Sequence, residues 1–355
     1  DQRMIGRDDL KAAVGAGIVT EAQAASLAGL ADSRRGARSD LAIGDEPFEL
    51  FKGFNEIFIV VGLLILSFGW ASFVGIAYAS QISNPQQFAL LYGGAGTAAL
   101  WLLSEYFVRR RRMVAPAIAL SILFAINAAL AMTAYFAQPF MVAQADYSSL
   151  PWPFAVGTFT LVIYWFRFRV PFAMAMIAVG CFIVAILMAA TSQGTPQSPS
   201  DLFLLSAGGP FAWITLLLGL AVFAVAMMFD MSDPHRVTRR AANGFWLHVV
   251  AAPALVNTIA LTLLDRDANW ALFGVMMVFA VVAIIIDRRS FLIAAIGYIL
   301  ALASTVFDGD SAAMTVLLLG VILLLLGAFW EKIRARLLRL LPRFVPLHRL
   351  PPSNI

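Results

Sequence analysis

Residues 99–136 read ALWLLSEYFVRRRRMVAPAIALSILFAINAALAMTAYF. Two apolar stretches meet at four consecutive arginines, Arg109–Arg112. A helix needs about 20 apolar residues to cross hydrocarbon, and basic residues between two such runs mark a turn held on the cytoplasmic side. Read outward from this hairpin, the chain carries apolar runs at 54–79, 87–108, 113–136, 150–166, 170–191, 210–229, 244–264, 268–286, 290–306 and 311–330. The expected fold is all-α: a polytopic transmembrane helix bundle of about ten spans over residues 51–330. Residues 1–50 form a small cytoplasmic helical hairpin and linker before it, and residues 331–355 a basic amphipathic cytoplasmic tail after it.

Composition carries the same message. Over 355 residues, 61% are apolar and only 13% charged, where a soluble domain carries about 25% charged residues to dress its surface. Mean hydropathy is +0.83. Collagen-like, disordered and disulfide-framework classes are excluded. The lone cysteine, Cys181, forms no intramolecular disulfide and belongs to no cysteine cluster. No cleavable signal peptide is expected, because the first apolar run begins only near Phe54.

Charge position tests the span reading independently. With both termini cytoplasmic and ten alternating spans, 24 of the 25 lysines and arginines fall inside, and only Arg266 falls outside. The outside loops instead hold Asp146, Asp201, Asp265, Asp267, Asp308 and Asp310. Adding or removing one span would scramble this segregation. The net charge of +4 is therefore topological, and no nucleic-acid partner is expected: the basic residues sit in short turns without an aromatic stacking surface. Trp152, Trp270 and Trp330 stand at span ends, where indole rings favour the headgroup level.

The N-terminal segment is soluble in character. Asp8–Val14 predicts a short helix stopping at Gly15 or Gly17, and Thr20 with Gln23 predicts a capping box opening a second helix. That second helix, 20–31, holds Glu21 and no basic residue, which argues against a DNA-recognition role and for protein contacts. The pattern Leu10-x-x-x-Val14-x-x-Gly17-Ile18-Val19-Thr20-x-x-Gln23-Ala24, a polar linker and then many short-looped spans resembles the DUF2157 family of bacterial membrane proteins. The hairpin is also similar to the short C-terminal oligomerisation domain, placed here at the N-terminus. The resemblance implies a bacterial inner-membrane protein, sometimes encoded beside other small membrane proteins, and implies no catalytic residues.

In the tail, Lys332, Arg336 and Arg339 share a stripe, with Arg343 just beyond and Ile333, Leu337, Leu340 and Leu341 beside them. This is the pattern of a helix lying on anionic lipid. Lys332, Arg336, Arg339 and Arg343 are the expected head-group contacts.

Charges near the centre of a span mark function by default, and none of the ten runs holds one. Glu56 lies in the first turn of its span with Lys52 four residues before, and Glu105 lies one turn before Arg109. Both read as structural. Asp230 and Asp287 close spans at the cytoplasmic edge, Asp287 with Arg288 beside it. The neutral polar residues Asn127, His248 and Asn257 form a candidate polar cavity, centred on the span that also holds Pro253. His248 has no histidine partner within the spans for a metal site, since His235 and His348 are cytoplasmic. Gly93-Gly94-Ala95-Gly96 lacks the lysine of a phosphate loop and falls within a span, so it reads as a surface for close helix approach.

No nucleophile with a nearby base, paired carboxylates, metal set or nucleotide loop is present, so no enzymatic activity and no cofactor is expected. The expected role is a structural or accessory subunit of a membrane assembly. It would contact anionic lipid head groups and meet a membrane-protein partner or a second copy through the hairpin. The alternative is a transporter, channel or lipid-handling protein for a neutral or lipid-like substrate.

Overall fold

The computed structural model describes residues 7–20, 23, 27, 54–80, 85–138, 141–144, 146–233, 239–288, 291, 310–342 and 345–351. Two compact units divide the chain, residues 1–49 and residues 50–353.

In the first unit α1 spans Arg7–Gly15. It stops because Gly17 turns left-handed, with φ 70°. The Ile18 N–H then bonds the Ala13 carbonyl at 2.9 Å and the Gly17 N–H bonds that of Val14 at 3.0 Å, the paired bonds of a Schellman stop. Thr20 and Gln23 form a reciprocal capping box: the Thr20 N–H donates to Gln23 Oε1 at 2.9 Å and the Gln23 N–H to Thr20 Oγ1 at 3.2 Å. Most of the second helix lies outside the described residues.

The second unit is all-α among its described residues. Its helices are α2 (Phe54–Ser80), α3 (Pro85–Ser104), α4 (Ala115–Phe136), the short α5 (Met141–Gln144), α6 (Pro151–Phe168), α7 (Pro171–Gln193), α8 (Phe211–Ser232), α9 (Arg239–Asp265), α10 (Asn269–Ile286) and α11 (Asp310–Leu340). α3 runs on as a π-helical turn through Glu105–Arg110. Every apolar run except 290–306, which lies almost wholly outside the described residues, coincides with one of these helices. Among the described residues, six helices are long and apolar enough to cross a membrane by length and composition: α2, α4, α7, α8, α9 and α10. α3 and α6 are helical over the expected runs but are diluted by Gln86, Gln87, glycines, prolines and Arg167.

Proline and left-handed residues set the boundaries. Pro151 and Pro171 open α6 and α7, and Pro116 is the second residue of α4. Proline is tolerated there because the first-turn N–H has no intrahelical acceptor. Arg169 and Asp287, at φ 54° and 56°, stop α6 and α10.

Two groups of helices pack around separate cores joined by α7. α2, α3, α4 and α6 enclose Leu63, Leu100, Leu120, Phe124, Leu161, Tyr164 and Phe168. Trp101, Phe124, Tyr164 and Phe168 stack at its centre, with ring centroids 4.6–4.9 Å apart for the closest pairs. α8, α9 and α10 enclose Val256, Leu272, Met276 and Phe291. α7 bridges them by packing on α4 and α6 and on α8 and α9. The less exposed face of α2 includes Glu56, Val60, Leu63, Ser67, Trp70 and Val74, whose alternating steps of four and three are those of a coiled-coil face, with Ile59 beside them.

α11 breaks at Phe329 (φ −117°, ψ 20°). The break falls where the last apolar run ends and the basic tail begins, and the tail continues helical to Leu340.

Candidate functional site

The strongest polar constellation forms where α8, α9 and α10 end together. Asp230 lies in the last turn of α8, His248 in the third turn of α9, and Arg288 just past α10. Side-chain exposure is 7% for Asp230, 0% for His248 and 2% for Arg288. Arg288 holds the carboxylate with two bonds, Nη2 to Oδ1 at 2.6 Å and Nε to Oδ2 at 3.0 Å. Nη2 also donates to the Ala241 carbonyl at 3.0 Å. His248 Nε2 lies 2.9 Å from Oδ2. An ionised carboxylate only accepts, so Nε2 carries the proton. The imidazole is held edge-on by Phe223 and Phe291.

Gly244 makes room for this cluster. A Cβ there would collide with Asp230 Oδ1, so the carboxylate reaches the α9 backbone only because position 244 has no side chain.

Asp230 and Arg288 pair as opposite charges, and His248 adds a bond to the same carboxylate. A cluster so arranged ties three helices together through one carboxylate. A second lock joins α10 to α11: the Trp330 Nε1–H donates to Asp287 Oδ1 at 2.8 Å. Arg334 Nη2 reaches the carbonyls of Pro351 at 2.5 Å and Ile285 at 3.5 Å. Trp330, expected as an interfacial anchor, is thus 7% exposed and buried against Asp287, whereas Trp152 and Trp270 face outward at 62% and 88%.

The candidate polar cavity is not assembled. Asn127 lies on α4 and turns to α3, its Nδ2 donating to Thr97 Oγ1 at 2.8 Å and the Gly93 carbonyl at 3.1 Å. His248 belongs to the Asp230 cluster. Asn257 is half-buried nine residues along α9 from His248, and nine residues at about 100° each place it on the opposite face. Pro253 is exposed. Asn127→Leu is therefore expected to weaken the α3–α4 contact by about 0.6–1.7 kcal/mol, the range of hydrogen bonds between membrane helices, while Asn257→Leu leaves stability unchanged. Thermal unfolding in detergent checks both.

Glu56 and Glu105 are bound to neighbouring helices. Glu56 Oε2 accepts the Ala115 N–H at 3.1 Å, so this carboxylate caps α4, not the helix it sits on. Glu105 pairs with Arg109, as its spacing predicts, at 3.4 Å, and more closely with Arg167 of α6 at 2.6 Å. Of the expected head-group contacts, Lys332, Arg336 and Arg339 are exposed on one face of the tail, and Arg343 lies outside the described residues. The Asp230–Arg288 pair was beyond sequence reasoning. The only local signal was an acidic residue and a basic one, each closing a span.

Among the described residues no group of three histidine, cysteine, aspartate or glutamate side chains is gathered as a metal site. No family model, curated protein or solved structure matches the chain.

Proposed function

We propose that the protein is a multi-pass subunit of a bacterial inner-membrane assembly, related in layout to the DUF2157 proteins. In this reading it has ten crossings, both termini are cytoplasmic, and its role is architectural. The carrying observation is that, among the described residues, several polar side chains within the helices are bound to neighbouring helices: Glu56 to the α4 backbone, Glu105 to Arg167, Asn127 to Thr97, and Asp230 to Arg288 and His248. Groups committed to holding helices together do not line a path for a solute.

The alternating topology has support of its own. The bonds between helix ends join positions that share a side in the ten-span scheme. Glu56–Ala115, Glu105–Arg167, Asp230–Arg288 and Asp287–Trp330 lie at the arginine-rich ends. Leu205–Thr262 and Ser206–Asp265 lie at the opposite ends.

Extraction in mild detergent is expected to co-purify other membrane proteins or further copies of this chain, and deletion of residues 1–40 to release them. A lone particle that moves a solute, or scrambles lipid, across liposomes would overturn the architectural reading.

A further inference from the structure

We propose that a groove formed by α3, α4 and α6 binds one acyl chain of an anionic phospholipid, whose phosphate is held by the arginines at the groove's basic end. The site rests on the reading that these helices span a membrane with those arginines at one surface, and it goes beyond the architectural role.

The groove encloses about 650 Å³, within the range of about 300–1,000 Å³ for small-molecule sites. On α3 its wall is Leu90, Gly94, Ala98 and Leu102. Steps of four residues keep these on one face, and twelve residues at 1.5 Å each make the trough about 18 Å long. One leaflet of hydrocarbon is about 15 Å deep, so the trough runs along the bilayer normal for the length of an acyl chain. Its rim is open: Leu90, Leu102 and Ile163 are 53%, 68% and 46% exposed. The small residues make the hollow, and a Cβ on Gly94 would meet no atom within 4 Å.

The lining selects hydrocarbon. Its hydroxyl side chains are Thr97 and Thr160, and both hydroxyls donate to their own helix backbone, to the Gly93 carbonyl at 2.8 Å and the Gly157 carbonyl at 2.7 Å. Little polar surface is left to recognise a sugar, an amino acid or an ion.

The basic end supplies the charge complement. Arg167 lies one turn beyond Ile163 and Arg109 about two turns beyond Leu102, and they share the single carboxylate of Glu105 at 2.6 and 3.4 Å. Two guanidinium groups on one carboxylate leave an excess positive charge, and both arginine side chains are accessible, at 35% and 59%. Arg110, Arg111 and Arg112 follow, all exposed. Guanidinium groups at this level bind phosphate oxygens through paired bonds.

The test uses the full-length protein, purified in mild detergent and incubated with dioleoylphosphatidylglycerol or dioleoylphosphatidylcholine. Native mass spectrometry counts the lipid retained. The wild type is expected to retain one phosphatidylglycerol with an about fivefold preference over phosphatidylcholine, the effect of about one arginine near a lipid surface. Gly94→Leu fills the trough and is expected to lose the retained lipid with its melting temperature preserved; Ala98→Leu is the second groove-filling variant should the first not fold. R109Q/R167Q is expected to abolish the preference. Equal retention of the two lipids by the wild type, or undiminished retention in a folded groove-filled variant, would overturn the site. Release of the chain from membranes by alkaline carbonate would instead overturn the spanning reading beneath it.

Discussion

Arg288→Met alone is expected to destabilise the bundle by about 3–5 kcal/mol, the cost of leaving one member of a buried ion pair without its partner. Asp230 would keep only the bond from His248 for a carboxylate that is 6% exposed. The Ala241 carbonyl would lose its side-chain donor as well. Asp230→Asn alone removes the carboxylate charge that faces Arg288, whose side chain is 2% exposed, and is expected to cost a similar amount. The double variant D230N/R288M removes both charges and leaves an amide oxygen to accept from His248. It is expected to recover most of the loss, because neutral replacement of a buried pair is often close to neutral in stability. Unfolding of the four proteins, followed by thermal melting or titration with a denaturing detergent, gives the coupling energy directly. Additive losses, or a single-variant cost below about 1 kcal/mol, the scale of an exposed pair, would show that Asp230 and Arg288 do not form a buried pair in the membrane.

Why this pair escaped the sequence while the helices did not is a matter of range. Helix existence depends on neighbouring residues: α4 and α7 announce themselves by long apolar runs without a charge behind Pro116 and Pro171. The Thr20–Gln23 box is equally local, since both partners lie within one turn. Asp230 and Arg288 are 58 residues apart, and nothing in either neighbourhood says which of several chain ends will meet. Arg288 stands beside Asp287 in the chain, yet the left-handed turn at Asp287 sends the two side chains to different helices, Asp287 to Trp330 and Arg288 to Asp230. Glu56 failed to announce its role for the same reason. It stands in the first turn of its own helix near Lys52 in sequence, but the N–H it accepts belongs to Ala115, 59 residues on. The groove was only half visible. The small residues of α3 identified a close-packing face, but which glycines pack and which leave a hollow depends on where α4 crosses.

Gly93 and Gly94 turn that distinction into opposite expected results. A Cβ at Gly93 would collide with Cβ of Ala131 on α4, so any larger residue must push α3 and α4 apart. That contact is among the most extensive between helices, and it carries the Asn127 bonds to Gly93 and Thr97. Gly93→Leu is therefore expected to cost at least the about 1–3 kcal/mol typical of an overpacked core, plus the hydrogen bonds lost as the helices separate. Gly94 lies one residue on, about 100° around the helix, where an added Cβ meets nothing. Gly94→Leu is expected to be neutral or slightly stabilising, because leucine is the better helix former by several tenths of a kcal/mol. Melting of the two variants side by side measures the difference without any assumption about ligand or partner. Equal melting temperatures would mean that α3 does not present Gly93 to α4, and the groove beside it would lose its floor. A Gly93→Leu defect relieved by Ala131→Gly would place the two residues in contact, since the second change removes the one methyl group that the first cannot avoid.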